Sequence, residues 1–172
     1  MQNEKGGSAM QILRILSILI AGLFFLCYSY QILYTPAALR KQKQENTPIK
    51  LHKYAVLICA RNESAVIAEL IESLKRQTYP ASLTEIFVLA DNCTDRTAEI
   101  AGSHGATVYE RYNQTQIGKG YALQELLEHI RRDRPMGFDG YFVFDADNVL
   151  SPDYIERMNE TFSEGFDAVT SY

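Results

Sequence analysis

The sequence predicts an α/β fold, a parallel sheet covered by helices on both faces, preceded by one membrane-spanning helix. Three observations carry this. Short runs of β-formers alternate with apolar stripes at helical spacing across residues 54–172, a pattern that implies right-handed β-α-β units. Polar and ionisable residues follow the carboxyl end of every complete strand run, the edge at which open α/β sheets bind ligands. Ahead of all this lies an uncharged apolar stretch of about twenty residues. At about 1.5 Å per residue it is long enough to cross a hydrocarbon core of roughly 30 Å.

That stretch, residues 15–34, follows a tail of residues 1–14 and is apolar or aromatic apart from Ser17, Ser29 and Gln31. Tyr28, Tyr30 and Tyr34 gather at its far end, where an interfacial aromatic belt would put them. No small-x-small cleavage site follows, so the reading is a retained anchor and not a cleaved leader. Lys5 and Arg14 precede it, whereas Arg40, Lys41, Lys43, Lys50 and Lys53 follow. The positive-inside bias then places the remaining domain in the cytoplasm, tethered at a membrane. Residues 35–53, polar and basic between Pro36 and Pro48, read as a juxtamembrane connector.

About 120 residues remain, the size of one ordinary domain. A net charge of −4 gives no reason to expect a nucleic-acid partner. Cys27, Cys59 and Cys93 are scattered and odd in number, so they read as free thiols in a reducing compartment. Four N-x-S/T triplets begin at Asn62, Asn92, Asn113 and Asn159. Two fall in predicted site loops, where a glycan would block the pocket, and they read as incidental.

Taken in order, residues 54–60 form the first buried strand, ending in Arg61-Asn62-Glu63 with Asn62 as the expected helix cap. Val66, Leu70, Ile71 and Leu74 make the apolar stripe of a helix that Tyr79-Pro80 ends. Residues 86–90 are the second strand, followed by Asp91 and Asp95. A short helix then stops at Gly105, a natural C′ residue. The third strand, 106–109, runs into Glu110 and Arg111. Gly118-Lys119-Gly120 opens the next helix, with Leu123, Leu126, Leu127 and Ile130 on one face. Tyr141-Phe142-Val143-Phe144 is expected to be the central strand, buried on both faces. Ser151-Pro152 should cap and start another helix, and residues 167–172 begin a further strand.

The central strand leads into Asp145-Ala146-Asp147. On an extended backbone these carboxylates point the same way, where they repel unless a proton or cation intervenes. Paired acidic oxygens at a strand end suit Mg²⁺ or Mn²⁺, which also takes ligands from phosphates and water.

Four segments, CARNE at 59–63, LADNCTDRTAEIA at 89–101, GKGYAL at 118–123 and FVFDADN at 142–148, resemble glycosyltransferase family 2 in that order. The resemblance covers most of residues 54–172 and implies a three-layer, Rossmann-like sheet of the GT-A type, here incomplete. It implies a nucleotide-sugar donor, a UDP-sugar, and a hydroxyl acceptor on a glycan or lipid-linked molecule, with inverting transfer. Ala60, Arg61 and Glu63 would line the nucleoside pocket, and Asp91 would accept from the uracil ring N–H. Asn92 stands where the family usually has a second acid. Lys119 would approach the diphosphate, Asp145 would lie near the ribose or metal, and Asp147 would be the main metal ligand. The resemblance also implies a general base beyond Tyr172, so the chain reads as a truncated donor-binding half, one that binds donor but scarcely transfers it. His52, His104 and His129 match no motif and read as surface or packing residues.

Two other readings remain open on the residues. Asp145-Ala146-Asp147-Asn148-Val149-Leu150 also fits the opening motif of haloacid-dehalogenase-type phosphatases, although that motif follows the first strand of its domain. The chain also reads as a non-catalytic, membrane-tethered nucleotide-binding module.

Overall fold

The computed structural model describes residues 3–39 and 48–170, and in the first helix the side chains of residues 10–11, 13–29 and 31. The chain divides into two compact units, Met1–Glu45 and Asn46–Tyr172. The first holds helix α1, Asn3–Leu39. The expected single-pass span is corrected: among the described residues no helix is long and apolar enough to cross a membrane. The side chains of Tyr30 and of residues 32–34 lie outside the described set. So do residues 40–47, with the Arg40, Lys41 and Lys43 that carried the expected orientation. The anchor and the cytoplasmic, membrane-tethered placement built on it are withdrawn.

The second unit is built on four parallel strands, β1 (Tyr54–Ala60), β2 (Thr84–Asp91), β3 (Thr107–Arg111) and β4 (Gly140–Phe144). Their order is β3-β2-β1-β4. Helices α2 (Ile67–Lys75), α3 (Thr97–Ser103), α4 (Lys119–Asp133) and α5 (Tyr154–Ser163) cover them. The two-residue period of β1 divides the core. Tyr54, Val56, Ile58 and Ala60 pack with α2, Ala101 of α3 and Ile155 of α5 on one face. Ala55 and Leu57 join Phe87, Leu89 and the Ala122, Leu126 and Ile130 stripe of α4 on the other. Each fully buried large side chain, Leu57, Ile58 and Phe87 among them, contributes about 1.5–3 kcal/mol. Chain order runs outward from β1 to β3 and then returns to the far side of β1. The crevice where strand order reverses therefore opens between the carboxyl ends of β1 and β4.

Several local expectations need correction. The Tyr141–Phe144 segment is not a central strand buried on both faces but the edge of the described sheet. Phe142 and Phe144 stack on each other and meet Tyr154 of α5 tilted and edge-on, while Tyr141 and Val143 remain exposed because α4, which packs on that face, lies over β1 and β2. At the head of β4, Gly140 admits Tyr54 so closely that a Cβ would come within 2.7 Å of the ring. Residues 167–170 form no strand, and Tyr172 lies outside the described residues. Asn62 caps no helix: α2 begins after Val66, and Asn62 sits at φ 56°. Helix α5 begins at Tyr154, after an N-cap at Asp153 rather than Ser151.

Candidate functional site

The loops after β1 and β2 are laced to each other. Cys93 Sγ donates to Ala60 O, and Asn62 Oδ1 accepts from Thr94 N at 2.8 Å. Asp95 is the knot: it accepts from Ser64 N, from Thr97 N and from the buried Thr97 hydroxyl, whose oxygen in turn accepts from Glu63 N at 2.8 Å. Those donors, the Thr97 hydroxyl first, hold the Asp95 carboxyl well below the usual carboxylate range. Of the expected pocket residues on β1, Ala60 is buried, Glu63 half-buried and Arg61 exposed.

Asp91 closes β2 opposite Arg111, the last residue of β3. The Arg111 side chain is 1% exposed and makes three bonds: Nη1 to Asp91 Oδ1, Nε to Glu125 Oε2 and Nη2 to Gln116 O, each 2.7 Å. The two carboxylates keep its guanidinium charged, raising it above its ordinary value. Asn92, in left-handed backbone at φ 52°, donates from Nδ2 to Asp91 Oδ1 at 2.8 Å and to Asn113 O at 3.0 Å. The loop polarity read at Arg111 is thus a buried ion pair. The missed signal is strand alternation, since an extended β3 points Arg111 to the α4 face along with Tyr109.

Gly118 precedes α4 at φ 130°, and no side chain caps the helix, so its first N–H groups stay available. Lys119, its first residue, reaches Asp145 Oδ1 beyond β4. Beneath lies Cys59, whose thiol burial pushes up to about 11 against the opposing pull of Lys119, so it stays neutral. After Phe144 the backbone does not stay extended, so the condition under which Asp145 and Asp147 would point the same way is not met. Asn148 N donates to Asp145 O at 3.1 Å and Asn148 Oδ1 accepts from Asp145 N at 3.1 Å, closing a turn. Ala146 tucks into the core while Asp145 and Asp147 face solvent. Among the described residues no group of three or more His, Cys, Asp or Glu is placed to hold a metal. Two exposed carboxylates are an all-oxygen donor set, which fits a hard cation whose other ligands are phosphate and water.

Grooves of about 440 and 620 Å³ lie elsewhere, along the free edge of β4 and the flank of α5. They are lined mainly by apolar groups such as Tyr141, Phe142 and Met158. The charged groups gather instead at the carboxyl edge, and the candidate site is there.

Layering, strand order and this polar edge define an α/β domain of the GT-A type. The mannosyltransferase PcManGT of Pyrobaculum calidifontis, solved with GDP-Man and Mn²⁺, shares it with a TM-score of 0.65 at 20% identity, over 83% of this chain and 42% of that one. Staphylococcus aureus TarS 1–349 in complex with UDP gives 0.53 at 21% identity, over 65% and 32%. Residues 55–171 match Glycosyl transferase family 2, and the chain belongs to that family. The beta-monoglucosyldiacylglycerol synthase of Nostoc sp. PCC 7120 is 30% identical over 132 residues, 74% of this chain and 26% of its own length. The 4,4'-diaponeurosporenoate glycosyltransferase of S. aureus USA300 is also 30% identical over 132 residues, 66% of this chain and 34% of its own. The chain therefore spans only about a quarter to a third of these relatives.

Proposed function

We propose that the chain is the donor-binding part of a glycosyltransferase that takes a UDP-sugar with Mg²⁺ or Mn²⁺ and passes the sugar, with inversion, to a hydroxyl acceptor. The observation that carries this is the Lys119–Asp145 contact across the crevice where strand order reverses. It gathers a cation, uncapped helix N–H groups and carboxylates at one point, as a nucleoside diphosphate and its metal require. Lys119 and the N–H groups at the start of α4 would hold the diphosphate. Ala60, Arg61 and Glu63 would line the nucleoside pocket, and Asp91 would accept from the base. Asp147, with Asp145, would hold the metal. Bound there, the ion would supply charge neutralisation for the departing diphosphate, typically several kcal/mol. The acceptor oxygen bonds to the anomeric carbon as the bond to phosphate breaks and its electron pair leaves with the diphosphate. A general base, assigned to no residue of this chain, removes the hydroxyl proton. Of glycan and lipid-linked acceptors, the diacylglycerol in one relative's name favours the latter.

The test is calorimetry of the full chain and Asp91→Ala with UDP and with pyrophosphate. Asp91→Ala should weaken UDP by about tenfold or more and leave pyrophosphate nearly unchanged. Equal losses for both ligands would make Asp91 structural and overturn the assignment.

A further inference from the structure

Asp91 does not offer its whole carboxylate to a ligand. Its Oδ1 already accepts from Arg111 Nη1 at 2.7 Å and from Asn92 Nδ2 at 2.8 Å. The orientation of the Asn92 amide is fixed independently, because Nδ2 donates to Asn113 O and Oδ1 accepts from Asn113 N at 2.9 Å. Arg111 is held as firmly, by Glu125 on α4 and by the Gln116 carbonyl. Oδ2, by contrast, takes no hydrogen bond from the described residues. Among them no buried side-chain oxygen lacks a partner, so Oδ2 reaches solvent although Asp91 as a whole is only 6% exposed. The carboxylate thus presents one aimed oxygen at the end of β2.

We propose that Arg111 and Asn92, acting as positioning residues, make Asp91 a one-oxygen acceptor and thereby select uracil over guanine. This rests on the reading of Asp91 as the base-contacting residue. Uracil presents a single ring N–H between two carbonyls, and one oxygen satisfies it. Guanine presents its ring N–H and exocyclic amino group side by side, a pair that a carboxylate matches with both oxygens. With Oδ1 filled, a guanine here leaves one donor unpaired in a largely buried setting, which costs more than a bond merely not made. Cytosine turns a lone pair toward Oδ2 and is refused by repulsion. The distinction is a real choice within this fold, since the Pyrobaculum enzyme is solved with GDP-Man and TarS with UDP.

Calorimetry of the full chain with UDP and GDP in excess Mg²⁺ tests this, on the wild type, Asn92→Asp, Arg111→Lys and Asp91→Asn. Asn92→Asp tolerates the left-handed backbone and still accepts from Asn113 N, but it cannot donate to Oδ1. It keeps the test alive if Arg111→Lys fails to fold. The wild type should bind UDP about tenfold or more tighter than GDP. Asn92→Asp and Arg111→Lys should each draw that ratio toward one, because Oδ1 becomes free for the second guanine donor. A purely structural role would weaken both ligands in parallel and leave the ratio where it was. An unchanged ratio in a folded Asn92→Asp overturns the inference, as does a wild type that binds GDP as tightly as UDP. If Asp91→Asn loses UDP binding while both clamp variants keep the wild-type ratio, the base-contact reading stands and the clamp falls. If Asp91→Asn binds UDP normally, or the wild type binds neither nucleotide, the reading beneath it falls as well.

Discussion

The carboxyl edge of the sheet has two differently built ends. At β2 and β3, Asp91 and Arg111 are buried to 9% and 1% side-chain exposure, and their partners are fixed before any ligand arrives. Beyond β4, Asp145 is 65% exposed and its partner Lys119 46%, while Asp147 stands in solvent. A buried ion pair couples strongly to the fold, whereas an exposed one is screened and contributes little. The β2–β3 end is thus preorganised by packing. The β4 end carries exposed charges that can be rearranged at small cost.

The sharpest way to break this contrast is to remove one cation from each end. Arg111→Met should destabilise the chain by about 3 kcal/mol, because the largely buried Asp91 loses its counter-charge. Lys119→Met should leave the urea midpoint within error. Urea unfolding of both variants measures this, and similar losses would mean that the two ends are built alike.

A smaller effect concerns the knot between the loops. The folded-state pKa of Asp95 lies below its unfolded value of about 3.9, so its stabilising contribution is fully present above about pH 4. It is lost as pH falls through the lower, folded value. Asp95→Asn should therefore be less stable than the wild type at pH 7, and the gap should narrow below pH 4. Urea midpoints at pH 7 and pH 3 would show it, and a gap independent of pH would mean that the charge of Asp95 is not what laces Ser64 and Thr97. Smallest of all should be Asp145→Asn, which leaves the midpoint unchanged at any of these pH values because the residue is exposed and an amide still hydrogen-bonds.

Strands β1 and β2 were legible because uncharged runs such as Tyr54-Ala55-Val56-Leu57-Ile58 have no amphipathic helical alternative. Helix α4 was equally plain from Leu123, Leu126, Leu127 and Ile130 and from the glycines around Lys119. The burial of β4 was misread because four bulky residues look alike whether one face is covered or two, and only the strand order shows Tyr141 and Val143 at an edge. Asn62 reads as a cap in the sequence because asparagine serves both caps and left-handed turns; the cross-loop bond to Thr94 decides for the turn. Arg111 was the main omission. A charged residue at a strand end reads as loop polarity until its register with Asp91 is known, and register is a tertiary fact. The apolar stretch near the amino terminus misled in the opposite way, since composition matched a span that the described helix does not bear out.

On the proposed reading, the β4 end becomes a phosphate site only with a divalent ion, held chiefly by Asp147. Without a cation, two carboxylates and a diphosphate oppose one another. The direct measurement is calorimetry of UDP binding to the full chain in Mn²⁺ and in EDTA, for the wild type and for Asp147→Ala. The account predicts that EDTA weakens wild-type binding by about tenfold or more, and that Asp147→Ala binds UDP as weakly with Mn²⁺ as without it. Equal affinity in EDTA and Mn²⁺, or an Asp147→Ala variant that keeps the full metal dependence, would contradict it.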